Sequence, residues 1–220
     1  MADIAYISDF LTRVEGPRQR RGYVPSNRRS DGKGRNYIGP VGIDPLGVQF
    51  PSTGDPGAFT AMGASGVTIA TGCDLGQTDA VTLRGYGLAE AVIRQFTPYL
   101  GLKKSAALTK LFTAPLVISE ADATATDHAV HAGYLNRYVR PAYDRDSKVP
   151  FDDLPKQAQA VVFSCCFQKG CTGVKRDWPK TWGYFTTQNW RKAADELIHG
   201  FRQYAQRRAI EGRLLKELCA

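Results

Sequence analysis

The chain has 220 residues, of which 43% are hydrophobic and 23% charged, the proportions of an ordinary globular domain with its own core. No apolar run approaches the roughly 20 residues of a membrane-spanning helix, and the N-terminus lacks the basic and apolar regions of a signal peptide, so neither is predicted. A formal net charge of +8 predicts attraction to a polyanion, whether nucleic acid, an acidic membrane surface or an anionic cell-wall polymer.

The first predicted element is a helix over residues 3–15. Its apolar residues follow the spacing i, i+3, i+4 and i+7 and form one face: Ile7, Phe10, Leu11 and Val14. Gly16 ends the helix, so Glu15 lies in its last turn. The negative end of the helix dipole disfavours a charged carboxylate there, which favours the protonated form of Glu15.

The next part of the chain is predicted to be loops and short strands. Residues 16–64 hold many glycines, prolines and arginines and almost no helical periodicity. The segment SGVTIATGCDLGQ at 65–77 is typical of a β-hairpin, because alternating β-branched residues lie between glycines. Thr68, Cys73 and Asp74 belong to this hairpin.

After the hairpin the pattern is helical. Helices are predicted over 85–97 and 105–112, from Ser119 toward Tyr138, between Asp153 and Gly170, and from Trp190 to Ala205. The sequence therefore predicts an α+β fold that is predominantly α-helical, with a small β region near the N-terminus and a helical lobe behind it.

The positive charge is concentrated in four short segments: RQRR at 18–21, RR at 28–29, KGR at 33–35 and RQYAQRR at 202–208. Apart from Tyr204 in the last segment, they contain no aromatic residues of the kind that stack bases in a single-strand groove, so no nucleic-acid partner is predicted. Two interpretations stay open, a solvated surface and a face that concentrates the protein on an anionic polymer.

The residues that could bind a metal are cysteines and histidines: Cys73, Cys165, Cys166, Cys171, Cys219, His128 and His131. An odd number of cysteines without a signal peptide argues against a disulfide framework, and adjacent cysteines rarely suit a tetrahedral metal site, so core packing is favoured. The two histidines have the i, i+3 spacing of ligands on one helix face, but no matching carboxylate motif is nearby. No metal and no cofactor is predicted.

Two carboxylates and a hydroxyl suggest a chemistry. Cleaving a glycosidic bond needs one acid that is protonated near neutral pH and a second carboxylate that stays ionised. Glu15 at its helix end suits the first role, and Asp74 among backbone N–H groups suits the second. Thr68 is suited to hold a water, because a hydroxyl both donates and accepts. On this evidence alone the ordinary alternatives, a helix-end Glu, a strand Thr and a turn Asp, stay open.

Three motifs then resemble a known family. The strings VEG at 14–16, GYVP at 22–25 and the hairpin at 65–77, in that order, resemble lysozyme-like muramidases of the pesticin and phage-lysozyme type. The resemblance implies Glu15 as the general acid, Asp74 as the carboxylate that orients water or stabilises the oxocarbenium ion, and Thr68 as the water-positioning hydroxyl. The order Glu, Thr, Asp, with Thr and Asp six residues apart, resembles the pesticin branch.

The helical part agrees with this family. Residues 151–170 resemble its central helix, which ends in a Phe-Gln-x-Gly sequence near the substrate cleft, and residues 186–201 resemble its C-terminal segment. The resemblance implies that the substrate is bound by four further residues: Tyr23, Gln77, Phe167 and Gln168. For the last two, core packing and a polar contact at the end of the helix stay open as alternatives. It also implies a single lysozyme-like domain over 1–220. Its parts would be a first helix at 1–16, a β and loop lobe at 17–80 with an insertion at 26–64, and a helical lobe at 81–220.

Two features depart from the family pattern. Ala70 replaces a glycine that usually follows the Thr-Ile pair, which a negative φ at Ala70 would accommodate. The insertion at 26–64 offers alternative carboxylates if it displaces the hairpin: Asp31, Asp44 and Asp55.

The predicted function is a peptidoglycan muramidase that cleaves the β-1,4 bond between N-acetylmuramic acid and N-acetylglucosamine without a cofactor. The resemblance implies inversion at the anomeric carbon, for which the two carboxyl groups lie roughly 6.5–9.5 Å apart. The alternative is a catalytically inactive wall-binding module of the same fold.

The predicted partners are peptidoglycan glycan strands and, for a toxin, an immunity protein that occludes the cleft; the protein itself is expected to be a monomer. It would be made in the cytoplasm and act in the periplasm or cell wall, as a phage endolysin, a bacteriocin domain or an injected effector.

Overall fold

The computed structural model describes residues 2–40, 42–43, 49–50 and 53–219. Its α-helices, in chain order, are α1 (Ile4–Glu15), α2 (Ala80–Gly85), α3 (Glu90–Phe96), α4 (Lys104–Thr113), α5 (Glu120–Tyr134), α6 (Arg140–Asp146), α7 (Lys156–Lys169), α8 (Cys171–Asp177), α9 (Pro179–Thr186), α10 (Trp190–His199) and α11 (Ala205–Lys216). Its strands are β1 (Gln19–Tyr23), β2 (Ser26–Arg28), β3 (Gly42–Ile43), β4 (Gln49–Phe50), β5 (Phe59–Ala61), β6 (Thr68–Ala70) and β7 (Cys73–Asp74). These elements divide into two compact units.

The β unit comprises residues 17–130. Its main sheet is antiparallel, in the order β1-β6-β7, and two smaller antiparallel pairs join β2 with β5 and β3 with β4. The prediction of loops, short strands and a hairpin in this part of the chain is therefore confirmed for the residues that the structure describes.

The prediction of a helix over 85–97 is wrong in its first part. Helix α2 ends at Gly85, and α3 begins only at Glu90. Gly87 between them has a φ of +83°, a left-handed conformation that interrupts a helix. The apolar spacing continues across the break because Leu83, Leu88 and Val92 are all buried, although the chain between them is not one helix.

The helical unit comprises residues 2–16 and 131–219, and α5 begins in the β unit and ends in this one. Helix α7 is its central element, because every residue from Ala158 to Cys166 is buried. A helix that is buried all round lies in the middle of a core. Helix α1 contributes Ile7, Phe10 and Leu11 to the same core.

The predicted helix from Trp190 to Ala205 is also interrupted. Helix α10 ends at His199, and α11 begins after Tyr204, which has a φ of +57°. Phe201 lies beyond the end of α10, yet it is apolar because its ring packs against the Trp178 ring, with the ring centres 5.0 Å apart. The periodicity therefore indicates burial correctly at a position that is not helical.

The prediction of a predominantly helical α+β fold is confirmed. None of the helices in the described parts of the chain has the length and apolar character needed to cross a membrane.

Candidate active site

Glu15 is the last residue of α1, as predicted. Gly16 follows it with a φ of +100°, a conformation that favours glycine and turns the chain out of the helix. The Glu15 side chain is 25% exposed, and its Oε1 accepts a hydrogen bond from Nη1 of Arg207. Glu15 is therefore a carboxylate at the edge of the helical unit, paired with a buried arginine.

Arg207 is held between two carboxylates. It also donates from Nε to Glu211 and from Nη2 to Ser164. Burial alone would lower the pKa of Arg207, but the two carboxylates outweigh it and the pKa is raised. Arg207 therefore remains charged beside Glu15.

Phe167 and Gln168, the predicted cleft residues of α7, have different surroundings. The Phe167 ring packs against three aromatic rings, with ring centres 5.3 to 5.5 Å apart: His131, Tyr134 and Phe163. Gln168 lines a surface cavity of about 670 Å³ together with Trp178, Phe201 and Tyr204. Its Oε1 accepts from Nη2 of Arg208 at 2.7 Å. Phe167 is therefore mainly a packing residue, whereas Gln168 lies where a ligand could reach it.

In the β unit, three predicted site residues form one row across the main sheet. Tyr23 on β1 pairs with Thr68 on β6, and Thr68 pairs with Asp74 on β7. Directly opposite residues of antiparallel strands project to the same face, with Cβ atoms about 5 Å apart. The neighbouring pair, Ile69 and Cys73, projects to the other face, and both residues are buried. The alternation explains why Cys73 lies beside Asp74 without sharing its surroundings.

The Asp74 carboxylate is held by backbone groups. Its Oδ1 accepts from the N–H of Gly76 at 2.8 Å and from the N–H of Gly66 at 3.1 Å. Burial raises the pKa of Asp74, and the Gly76 and Gly66 N–H groups and the charge of Lys103 offset that rise only in part. Asp74 is thus a fixed, half-buried carboxylate.

A second buried carboxylate supports the hairpin. Asp127 on α5 accepts from the backbone N–H and the hydroxyl of Thr71, both at 2.8 Å, and from Nε of Arg18 at 2.6 Å. The turn carries a left-handed residue at Ala70, whose φ is +52°. The negative φ that would accommodate an alanine is therefore not found: the backbone keeps a conformation that suits glycine, at a cost of roughly 1 kcal/mol for Ala70.

The remaining candidate residues of the β unit act locally. Gln77 donates from Nε2 to the Ala64 carbonyl at 2.7 Å, which closes the open end of the hairpin. Asp31 forms an ion pair with Arg35, and Asp55 caps a short turn by accepting from Gly57. Asp44 lies outside the described residues.

The cysteines and histidines form no metal centre in the described part of the chain, where no three candidate ligands come together. Cys73, Cys165, Cys166 and Cys171 are buried thiols, as core packing predicts. His131 is also buried, and its Nδ1 lies 2.8 Å from the Ser8 hydroxyl.

Sequence reasoning missed the buried arginines. Arg207 and Arg208 were assigned to a positive surface segment, but their side chains are 8% and 0% exposed. Arg21 of the RQRR segment is buried as well. The signal was available in α11, where the two arginines precede Glu211 by four and three residues, the spacing of ion pairs on one helix face.

A family model described as "Pesticin: Bacterial toxin homologue of phage lysozyme, C-term" matches residues 49–191, well over half of the chain. The matched range contains five of the predicted site residues: Thr68, Asp74, Gln77, Phe167 and Gln168. Glu15 and Tyr23 precede it. A comparison with curated proteins gave no match.

Proposed function

Because the chain belongs to the pesticin family of bacterial toxin homologues of phage lysozyme, we propose that it hydrolyses the β-1,4 bond between N-acetylmuramic acid and N-acetylglucosamine in peptidoglycan. The observation that carries the proposal is the row of Tyr23, Thr68 and Asp74 across the main sheet, in which Thr68 and Asp74 belong to a hairpin that lies wholly within the matched range. The net charge of +8 suits an anionic wall polymer.

In the proposed mechanism Glu15 is the general acid that protonates the departing sugar oxygen. Asp74 stays ionised and either orients a water or stabilises the positive charge that develops on the sugar ring. The hydroxyl of Thr68, opposite Asp74, holds the water, because it can accept from the water or donate to it. The chemistry needs proton transfer and charge stabilisation, and the three side chains supply both.

Gln168, and the cavity that it shares with Trp178 and Tyr204, are proposed to bind a part of the glycan strand. The cavity of about 670 Å³ lies in the size range of ligand pockets. Aromatic and amide side chains together suit a sugar, which has apolar faces and hydroxyl edges. Tyr23 and Gln77 are proposed to contact the substrate from the hairpin.

The first test is clearing of a peptidoglycan suspension by the protein and by Glu15→Gln. Removing the general acid should lower the rate by about 10²-fold or more. Asp9→Asn is the matched control, since Asp9 is an exposed carboxylate on the same helix. Undiminished clearing by Glu15→Gln would refute the proposal, and wall binding without any clearing by the unmodified protein would favour an inactive binding module.

The second test concerns stereochemistry. An inverting enzyme releases the opposite anomer of the sugar, because water attacks from the face opposite the leaving group. Proton NMR of the first product, recorded before mutarotation, distinguishes the two anomers. A product that retains the β configuration excludes the inverting mechanism.

The biological setting is proposed to be the periplasm or cell wall of a bacterium, reached by holin release or by injection. The family description as a bacterial toxin favours an effector, with an immunity protein that occludes the cleft. The same chain expressed with and without a periplasmic export signal tests this setting. Lysis of the host only upon export is the expected result, and equal toxicity of both forms would contradict it.

A further inference from the structure

The Glu15 carboxylate belongs to a set of four charged side chains in the helical unit. Two arginines of α11 meet two carboxylates, Glu15 from α1 and Glu211 from α11 itself. Glu15 is 25% exposed, whereas Arg207, Arg208 and Glu211 are at most 8% exposed. The set is therefore a buried charge cluster, which we call the Arg-Glu cluster, with Glu15 at its accessible edge.

Glu211 lies at the centre of the Arg-Glu cluster. Its Oε1 accepts from the Ser164 hydroxyl at 2.6 Å, from Nη2 of Arg208 at 2.8 Å and from Nε of Arg207 at 3.2 Å. The Cys165 thiol approaches Oε2 at 3.8 Å. All four contacts are hydrogen-bond donors, which suits a carboxylate without a proton. Burial raises the pKa of Glu211, and the two arginines oppose that rise.

Arg207 divides its donors between the two carboxylates. Nη1 faces Glu15, Nε faces Glu211, and Nη2 is fixed by the carbonyl and hydroxyl of Ser164. A guanidinium presents its donors in a rigid planar arrangement, so the position of Nη1 follows from where the other two nitrogens are held. Glu211 therefore affects Glu15 in two ways. It fixes the orientation of the Arg207 guanidinium, and its negative charge partly neutralises the positive charge of Arg207 that acts on Glu15.

Arg208 completes the charge balance. It donates to Glu211 and to Gln168, and its guanidinium lies 4.9 Å from the centre of the Trp178 ring. Two positive and two negative charges sum to zero, which a buried position requires if its charges are to be tolerated. Removal of the Glu211 charge leaves a net positive charge in the cluster, and removal of the Arg208 charge leaves a net negative one. Either net charge acts on Glu15, the one member that is partly exposed.

We propose that Glu211 is a positioning residue for Glu15: it holds Arg207 against the Glu15 carboxylate and sets the pH range in which Glu15 carries its proton. This inference rests on the proposed role of Glu15 as the general acid. The titratable group outside the Arg-Glu cluster that contacts its inner members is the Cys165 thiol on α7, which lies 3.8 Å from Oε2 of Glu211 and 3.0 Å from Nη1 of Arg208.

The test compares pH profiles of peptidoglycan clearing for Glu211→Gln and Arg208→Gln. Loss of the Glu211 charge leaves an excess positive charge, so Glu15 loses its proton more easily and the alkaline limb moves to lower pH, by about 0.5–1 pH unit. Loss of the Arg208 charge has the opposite sign and moves that limb to higher pH. Asp195→Asn, which removes an exposed carboxylate paired with Lys216 on the same unit, should leave the limb in place.

A purely structural role for Glu211 would lower the rate at every pH without moving the limb, and that result in folded variants would overturn the proposal. So would a shift of both variants in the same direction. Folding is checked by thermal melting, and Arg208→Gln alone decides the sign if Glu211→Gln does not fold.

A measurement on the unmodified protein is independent of activity. Carbon-detected NMR of the side-chain carboxyl groups should show Glu211 ionised at pH 7. A protonated Glu211 at pH 7 would overturn the proposal even if clearing is normal. If clearing fails or is insensitive to Glu15→Gln, the proposed function fails. The link to Glu211 is still tested by comparing the NMR signal of the Glu15 carboxyl group, as a function of pH, between the unmodified protein and Glu211→Gln.

Discussion

Thr68 lies directly opposite Asp74 across strands β6 and β7, so the hydroxyl and the carboxylate project from the same face of the sheet. Thr68 is 4% exposed, and Asp74 is half-buried. The Asp74 carboxylate is held mainly by the backbone N–H groups of Gly66 and Gly76, and the Gln77 side chain adds a further hydrogen bond. The pair is therefore a rigid polar element, and its properties can be tested separately from those of Glu15.

Asp74→Asn should abolish most of the clearing activity while the fold is retained. The amide keeps an oxygen for the Gly66 and Gly76 N–H groups but lacks the charge that stabilises a positive transition state, so a loss of about 10²-fold or more is expected. Asp79→Asn is the control, because Asp79 caps α2 and asparagine caps equally well. Full activity of Asp74→Asn would remove Asp74 from the mechanism.

Ionisation of Asp74 should determine the acid limb of the pH profile of activity. Burial raises its pKa, and the reaction needs the ionised form, so the acid limb should lie above pH 3.8, the ordinary value for Asp. A raised pKa in the folded state also means that burying the charge costs stability above that pKa and that the cost disappears as the pH falls through it. The melting temperature of Asp74→Asn relative to the unmodified protein should therefore rise from acidic to neutral pH.

Gly66→Ala should destabilise the protein strongly. A Cβ at Gly66 would lie 2.5 Å from the Leu102 carbonyl oxygen and 2.5 Å from the Cα of Gly76, both backbone atoms that cannot move aside. Overpacking of this kind costs about 1–3 kcal/mol or prevents folding. Gly85→Ala is the control, since a Cβ at this last residue of α2 meets nothing within 4 Å, and it should be neutral or stabilising. Urea denaturation of both variants gives the comparison, and equal free energies of unfolding would contradict it.

Asp127→Ala should loosen the hairpin turn. The substitution leaves the buried Thr71 N–H without its acceptor, at a cost of about 1–3 kcal/mol, while Arg18, which is 23% exposed, keeps Glu120 as a partner. Hydrogen exchange at the Thr71 amide should accelerate in the folded variant. Asp122→Ala removes a half-buried carboxylate of the same helix that accepts from Gln95 instead of Thr71, and it should leave that exchange rate unchanged. Slow exchange at Thr71 in Asp127→Ala would show that the turn does not depend on Asp127.

The cysteines should differ in reactivity. Burial raises the pKa of Cys73 and of Cys165 to about 12, and alkylating reagents attack the thiolate, so both should resist iodoacetamide at pH 8 in the folded protein. Cys219 is partly exposed and should react first. Mass spectrometry of peptides before and after denaturation gives the order. Early modification of Cys73 would indicate that the hairpin opens.

Local sequence patterns predicted the secondary structure around the three proposed catalytic residues. The apolar face of α1 and the stop at Gly16 placed Glu15 at a helix end, and the alternation in SGVTIATGCDLGQ placed Thr68 and Asp74 in one hairpin. The same reasoning failed between α10 and α11, where regularly spaced apolar residues indicate burial but the chain is not helical. Phe201 lies on the apolar face predicted for a long helix, yet the chain has already left α10 at that point.

The amino-acid sequence by itself determined the fold class and the local setting of Glu15, Thr68 and Asp74, because periodicity, glycine stops and strand alternation act over a few residues. The family followed from the resemblance of three motifs. Only the tertiary structure decided which partners these residues have. Arg207 reaches Glu15 across 192 positions of sequence, and Asp127 reaches Thr71 across 56. Whether an arginine is a surface charge or the buried partner of a carboxylate depends on which helix faces pack together, and that follows from contacts between distant segments.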